Sequence, residues 1–151
     1  GITMKGYASK ILRINLTTGK ISQEQPREEL YKNFLGGTGF IIHTLLNELK
    51  KNTDPLGAEN KLVFALGPIS GHRVPGSGRN VVGSKSPLTN TYGESEAVGF
   101  WGAELRKCGF DALIVEGQTA HAPRRAKRKK EGFEKDFNLI GWSCWDRRRD
   151  L

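Results

Sequence analysis

Cysteine is nearly absent from the chain, which carries only Cys108 and Cys144. The two stand too far apart for a CxxC redox or metal pair and are too few for a disulfide scaffold, so two free thiols are expected. Histidine is as sparse. His43, His72 and His121 occur singly, with no HxxxH or HxxE spacing, which argues against a zinc site. No serine sits in a GxSxG setting and neither cysteine has an evident histidine partner, so no nucleophile is assembled and no catalytic residue is assigned. Long apolar runs are missing too. Nothing approaches the roughly 18 residues of a membrane span, and no charged start followed by an apolar block suggests a signal peptide. A cytoplasmic location with no membrane partner is the expectation.

Positive charge, by contrast, is abundant and uneven. Of the formal net charge of +8, residues 1–122 account for 14 Lys and Arg against 11 Asp and Glu, and residues 123–151 for 10 against 5. The break in composition falls at the same place, since 17 of the 19 glycines precede Pro123. Residues 123–151 therefore read as a basic, divergent tail, and the abrupt change suggests a frame shift or truncation near Ala120. Arg/Lys clusters beside Trp142 and Trp145 open an alternative, nucleic-acid binding through the tail. Basic runs are usually solvated and residues 1–122 hold no nucleic-acid motif, so this partner is disfavoured. Met4 is the only methionine, and Gly1-Ile2-Thr3 ahead of it reads as a cloning remnant. That leaves 4–122 as the domain.

Within it, SKILRINL alternates so that Leu12, Ile14 and Leu16 share one face and Arg13 and Asn15 the other, the pattern of a half-buried strand. Thr17-Thr18-Gly19 supplies a turn, predicting a hairpin over Ser9 to Glu24. Pro26 opens a short helix over about Arg27 to Leu35. Gly36-Gly37-Thr38-Gly39 interrupts, and a second helix runs from Phe40 to Lys51 with Ile41, Leu45 and Leu49 at helical spacing. Lys61 to Leu66 reads as a buried strand, the stretch from Gly67 to Gly78 as an irregular functional loop, and Asn80 to Ser84 as a short strand. A helix over Phe100 to Cys108, stopped by Gly109, leads into a strand at Ala112 to Glu116.

Two loops invite a ligand. Gly36 to Gly39 precedes a helix, where free N–H groups can hold an anion, but it has neither the GxGxxG nor the GxxxxGK[ST] spacing, and a plain helix-to-helix turn is the favoured account. Pro75-Gly76-Ser77-Gly78-Arg79 is stronger. Glycines let the backbone approach a ligand, and Arg79 can grip phosphate oxygens in a bidentate way; an ordinary surface loop with one exposed arginine is the alternative.

Four blocks in order then carry a resemblance: KILRINLTTGKI, FLGGTGF, DPLGAENKLVFALGPISG, and GRNVVGSKSPLT followed by GFWGAELRKCGFDALIVEG. Over Lys5 to Gly117 the chain resembles the N-terminal domain of the tungsten-containing aldehyde ferredoxin oxidoreductases. The resemblance implies an α+β fold in which twisted β-sheets with a few helices form a saddle-like support for a tungstopterin (bis-pterin) cofactor with magnesium. It implies oxidation of aldehydes to carboxylic acids, with electrons leaving through a [4Fe–4S] cluster to ferredoxin. The cluster ligands and acid/base groups of that family belong to later domains, so further C-terminal domains or a separate subunit are implied partners, and the chain by itself is expected to be inactive. The family's loop arginine falls on Arg79, beside Gly78. An Asn and a Gly ahead of the family's GAEL helix fall on Glu96 and Val98, next to Gly99. Both depart from the family pattern, Glu96 offering a hard oxygen for magnesium and Val98 adding a side chain where the family has none. A remaining alternative is an interaction protein whose exposed apolar surface leads to a homo-oligomer.

Overall fold

The computed structural model describes residues 6–119; the expected remnant at 1–3, the tail at 123–151 and His121 lie outside them. The hairpin forms as the alternation requires. Strands β1 (Ile11–Asn15) and β2 (Lys20–Glu24) pair antiparallel, and Asn15 Oδ1 accepts the N–H groups of Thr17 and Thr18 at 3.0 and 3.1 Å to close the turn. Helices α1 (Glu28–Phe34) and α2 (Gly37–Glu48) follow, then β3 (Lys61–Leu66), β4 (Arg79–Lys85), β5 (Tyr92–Val98), α3 (Phe100–Lys107) and β6 (Ala112–Glu116). All six strands join one mixed sheet in the order β2-β1-β6-β3-β4-β5, in which β1 and β6 are the parallel pair. The expected α+β class is what is seen.

Period-two alternation sorts the sheet into two buried faces. Ile11, Val63, Ala65, Val81, Ala112 and Ile114 pack against Phe40, Ile41 and Leu45 of α2. Leu12, Leu66 and Leu113 pack against Leu105 of α3, with Phe64 and Trp101 rings 5.1 Å apart at the margin. Helix α3 ends as its sequence specifies, with Gly109 following the C-cap Cys108 at φ +86°. Cys108 stands at the C-cap of α3, and Cys144 lies outside the described residues.

Three differences have physical causes. Helix α2 begins at Gly37, not Phe40, because the glycines serve close backbone packing. A Cβ on Gly36 (φ +130°) would stand 2.5 Å from the Leu66 carbonyl oxygen, and one on Gly39 2.5 Å from that of Phe34. The link between the two helices is therefore only Leu35 and Gly36, and Gly37 to Gly39 form the first turn of α2 instead of the expected helix-to-helix turn. Strand β5 was not anticipated, since YGESEAV is an edge strand exposed along most of its length and carries no apolar alternation. Finally, Arg13 is not on a solvated face. Its guanidinium, 14% exposed, bonds the carboxylates of Glu24, Glu48 and Glu116 beneath α2, where Lys61 also pairs with Glu48 and Glu116.

Candidate functional site

The loop between β3 and β4 is irregular throughout, as its glycines and prolines dictate, and it delivers Arg79 as the first residue of β4. Antiparallel pairing of β4 with β5 sets Arg79 opposite Val98 and Val81 opposite Glu96. Residues two apart on a strand share a face, so the Arg79 and Glu96 side chains meet diagonally, with Nη1 donating to Glu96 Oε2 at 3.0 Å. Both are largely exposed, at 67% and 50%, so this pair contributes little to stability. The guanidinium offers five N–H donors, and Glu96 is the partner it engages among the described residues.

One residue outward, the Gly99 N–H donates to the Gly78 carbonyl at 3.1 Å. A Cβ on Gly78 would come within 3.2 Å of the Gly99 carbonyl oxygen, so the two glycine backbones pass closer than side chains comfortably allow. Gly99 has φ +150° and nothing within 4 Å of where a Cβ would point. It leads directly into α3, whose N-terminus has no side-chain cap and no acidic residue in its first turn. Val98 and Phe100 stand 74% and 87% exposed on either side. All five residues singled out from the sequence, Gly78, Arg79, Glu96, Val98 and Gly99, therefore gather at one end of the β4–β5 pair.

The chemistry of this patch suits a phosphate-bearing ligand: a cationic fork, two glycine backbones without side-chain cover and an uncapped helix start. For a metal the donor set is thin. Among the described residues no three His, Cys, Asp or Glu side chains gather, so Glu96 is a single carboxylate. A lone carboxylate fits magnesium when phosphate oxygens and water complete the shell.

Behind the patch lies an anchor that the sequence did not single out. Asp111, 4% exposed, accepts from the Tyr31 hydroxyl at 2.9 Å and the Ala8 N–H at 2.9 Å and pairs with Arg106 of α3. Burial, reinforced by the Asp111 charge, raises the Tyr31 phenol well above its ordinary value, so it stays a donor. Arg106 Nη2 in turn donates to the Gly67 carbonyl at 2.7 Å, tying α3 to the start of the loop. Partners 39 and 80 residues apart leave no local signal. Gly36 to Gly39, the weaker anion candidate, form the closely packed N-cap and first turn of α2 already described. No helix among the described residues is long and apolar enough to cross a membrane.

Comparison with known proteins covers most of the described residues. Residues 11–123 match the family described as aldehyde ferredoxin oxidoreductase, N-terminal domain. A tungsten-containing aldehyde ferredoxin oxidoreductase of Pyrococcus abyssi is 48% identical over 118 residues, covering 78% of this chain and 19% of that protein. An aliphatic sulfonate oxidoreductase, WOR-like subunit, of Pyrococcus furiosus is 36% identical over 119 residues, with 77% and 19% covered. Among solved structures, the active-site complex BamBC of benzoyl coenzyme A reductase superposes with a TM-score of 0.75 at 29% identity, covering 78% of this chain and 18% of that one. The chain thus spans about a fifth of the length of the curated relatives it matches.

Proposed function

The chain belongs to the aldehyde ferredoxin oxidoreductase family, and from that premise we propose that it is the N-terminal, tungstopterin-binding part of an oxidoreductase that converts aldehydes to carboxylic acids with ferredoxin as electron acceptor. The observation that carries this is the placement of Arg79, exposed at the mouth of a glycine-rich loop and next to the Gly78–Gly99 contact. Arg79 holds a pterin phosphate through charge-assisted hydrogen bonds. Gly78 and Gly99 let the backbone approach, and Val98 flanks them. Glu96, which pairs with Arg79 in this structure, would offer its other carboxylate oxygen to a magnesium ion accompanying the phosphates.

When bound, tungstopterin supplies the redox chemistry; this chain binds and orients it. Electron transfer through a [4Fe–4S] cluster, and the acid/base steps, belong to further C-terminal domains or a separate subunit, in keeping with the greater length of the relatives. Relatives named for an aldehyde and for a sulfonate both match over nearly the same stretch, which supports placing substrate selection outside it.

The test is a chimaera in which residues 4–119 replace the corresponding segment of the Pyrococcus abyssi relative. Tungsten content close to that of the parent, with aldehyde-dependent viologen reduction, is the expected result. A folded chimaera devoid of tungsten and pterin would overturn the proposal.

A further inference from the structure

The register of β3 on β4 ends at Leu66 opposite Asn80, one residue short of Arg79. The Arg79 carbonyl therefore lies beyond the ladder, at the neck of the loop that spans residues 67–78. Ser70 fills the gap. Its hydroxyl donates to the Arg79 carbonyl at 2.9 Å and accepts the Gly67 N–H at 3.0 Å, so one oxygen joins the first residue of the loop to the first residue of the strand after it. Ser70 itself is 4% exposed, and its N–H completes a turn to the Gly67 carbonyl at 3.1 Å. On the next position, Gly71 lies against α3, where a Cβ would meet the Ala103 Cα and Arg106 Cβ at 3.2 Å. The loop is free to be irregular because its neck is bolted to both α3 and β4.

We propose that Ser70 is a positioning residue for Arg79: its buried hydroxyl fixes the Arg79 backbone, and through it the direction in which the guanidinium projects. This rests on the assignment of Arg79 to phosphate contact only for its functional consequence. Backbone order at a strand's first residue is otherwise set by ladder bonds, and here a side chain replaces one. Sequence alone gives no hint of it, since Ser70 looks like any polar loop residue.

The full chain, labelled with 15N, tests the inference in two readouts. The first is the order of the Arg79 amide and Nε–H from 15N relaxation in the parent, Ser70→Ala and Ser70→Thr. Order at Arg79 should fall in Ser70→Ala, stay unchanged in the neighbouring sheet amides of β3, and return in Ser70→Thr. The second is titration with inorganic pyrophosphate, for which Ser70→Ala should weaken binding about three- to tenfold, the scale of one lost hydrogen bond. The same change placed on Arg79→Ala should cost nothing more. Unchanged order at Arg79 in Ser70→Ala overturns the inference whatever pyrophosphate does, as does collapse of spectral dispersion in both variants, which would make Ser70 a packing residue. Loss of Arg79 order with no pyrophosphate binding even by the parent supports the positioning role and counts instead against the phosphate assignment.

Discussion

Replacing Arg13 by methionine removes the centre of the ionic cluster under α2 while keeping most of the side-chain volume. Five contacts of 2.5 to 3.2 Å to three carboxylates disappear, leaving Lys61 alone to face Glu48 and Glu116. Removing one partner of a buried pair costs about 3 to 5 kcal/mol; because Glu24 and Glu48 keep 43% and 33% of their exposure and can rehydrate, about 2 to 4 kcal/mol is expected here. At about 4 °C per kcal/mol for a domain of this size, the thermal midpoint at pH 7 should fall by about 8 to 16 °C. Acid should narrow the difference. Burial alone would raise Glu48 and Glu116, yet the hydrogen bonds and charges of Arg13 and Lys61 outweigh it and hold both below the ordinary 4.5. Their contribution is therefore complete above pH 4.5 and is lost as the pH falls through the lower folded-state values. In Arg13→Met the desolvation that opposes charge is less compensated, so parent and variant should converge on acidification. Circular dichroism melts from pH 7 to pH 3 measure this. A drop below about 2 °C at pH 7, or a gap that widens toward acid, would refute the assigned role of the cluster.

Three other outcomes are expected. Gly36→Ala should destabilise by about 2 kcal/mol or more, from a positive φ and a Cβ driven against the Leu66 carbonyl, read as a lower urea midpoint with unchanged slope. Tyr31→Phe should cost about 1 to 2 kcal/mol, because Asp111 loses a buried donor while the ring stays packed; a neutral result would show that Asp111 is satisfied without it. The purified chain should not oxidise aldehydes with a viologen or ferredoxin acceptor, and turnover above background would contradict the division of labour proposed above.

Much of the fold was legible because its signals are local. Thr17 to Gly19 announced the hairpin, Gly109 the end of α3, and the apolar run of Ala112 to Glu116 a strand with the same bounds. What failed was long-range. The alternation of SKILRINL told the two faces of β1 apart but not that α2 would cover the face bearing Arg13, whose partners lie 11, 35 and 103 residues away. Glycine's reputation as a helix breaker misplaced the start of α2, whose N-cap Gly36 packs against Leu66 and whose first-turn Gly39 packs against Phe34. For the site, loop chemistry pointed to Gly78 and Arg79 unaided. Glu96, Val98 and Gly99 came from the family resemblance, and their meeting with Arg79 needed the β4–β5 register, which a polar edge strand does not advertise.

The central claim, that Arg79 serves the cofactor and not the fold, is most directly tested by measuring bound pterin and thermal midpoint for Arg79→Ala and its parent in the chimaera described above. Loss of a charge-assisted pair with phosphate, on the order of 1.5 to 3 kcal/mol, should weaken pterin retention at least about tenfold. The midpoint of the isolated chain should move by less than about 2 °C, since the only described partner of this exposed guanidinium is Glu96 on the surface. Equal pterin content in both proteins, or a large loss of stability in the variant, would contradict the account.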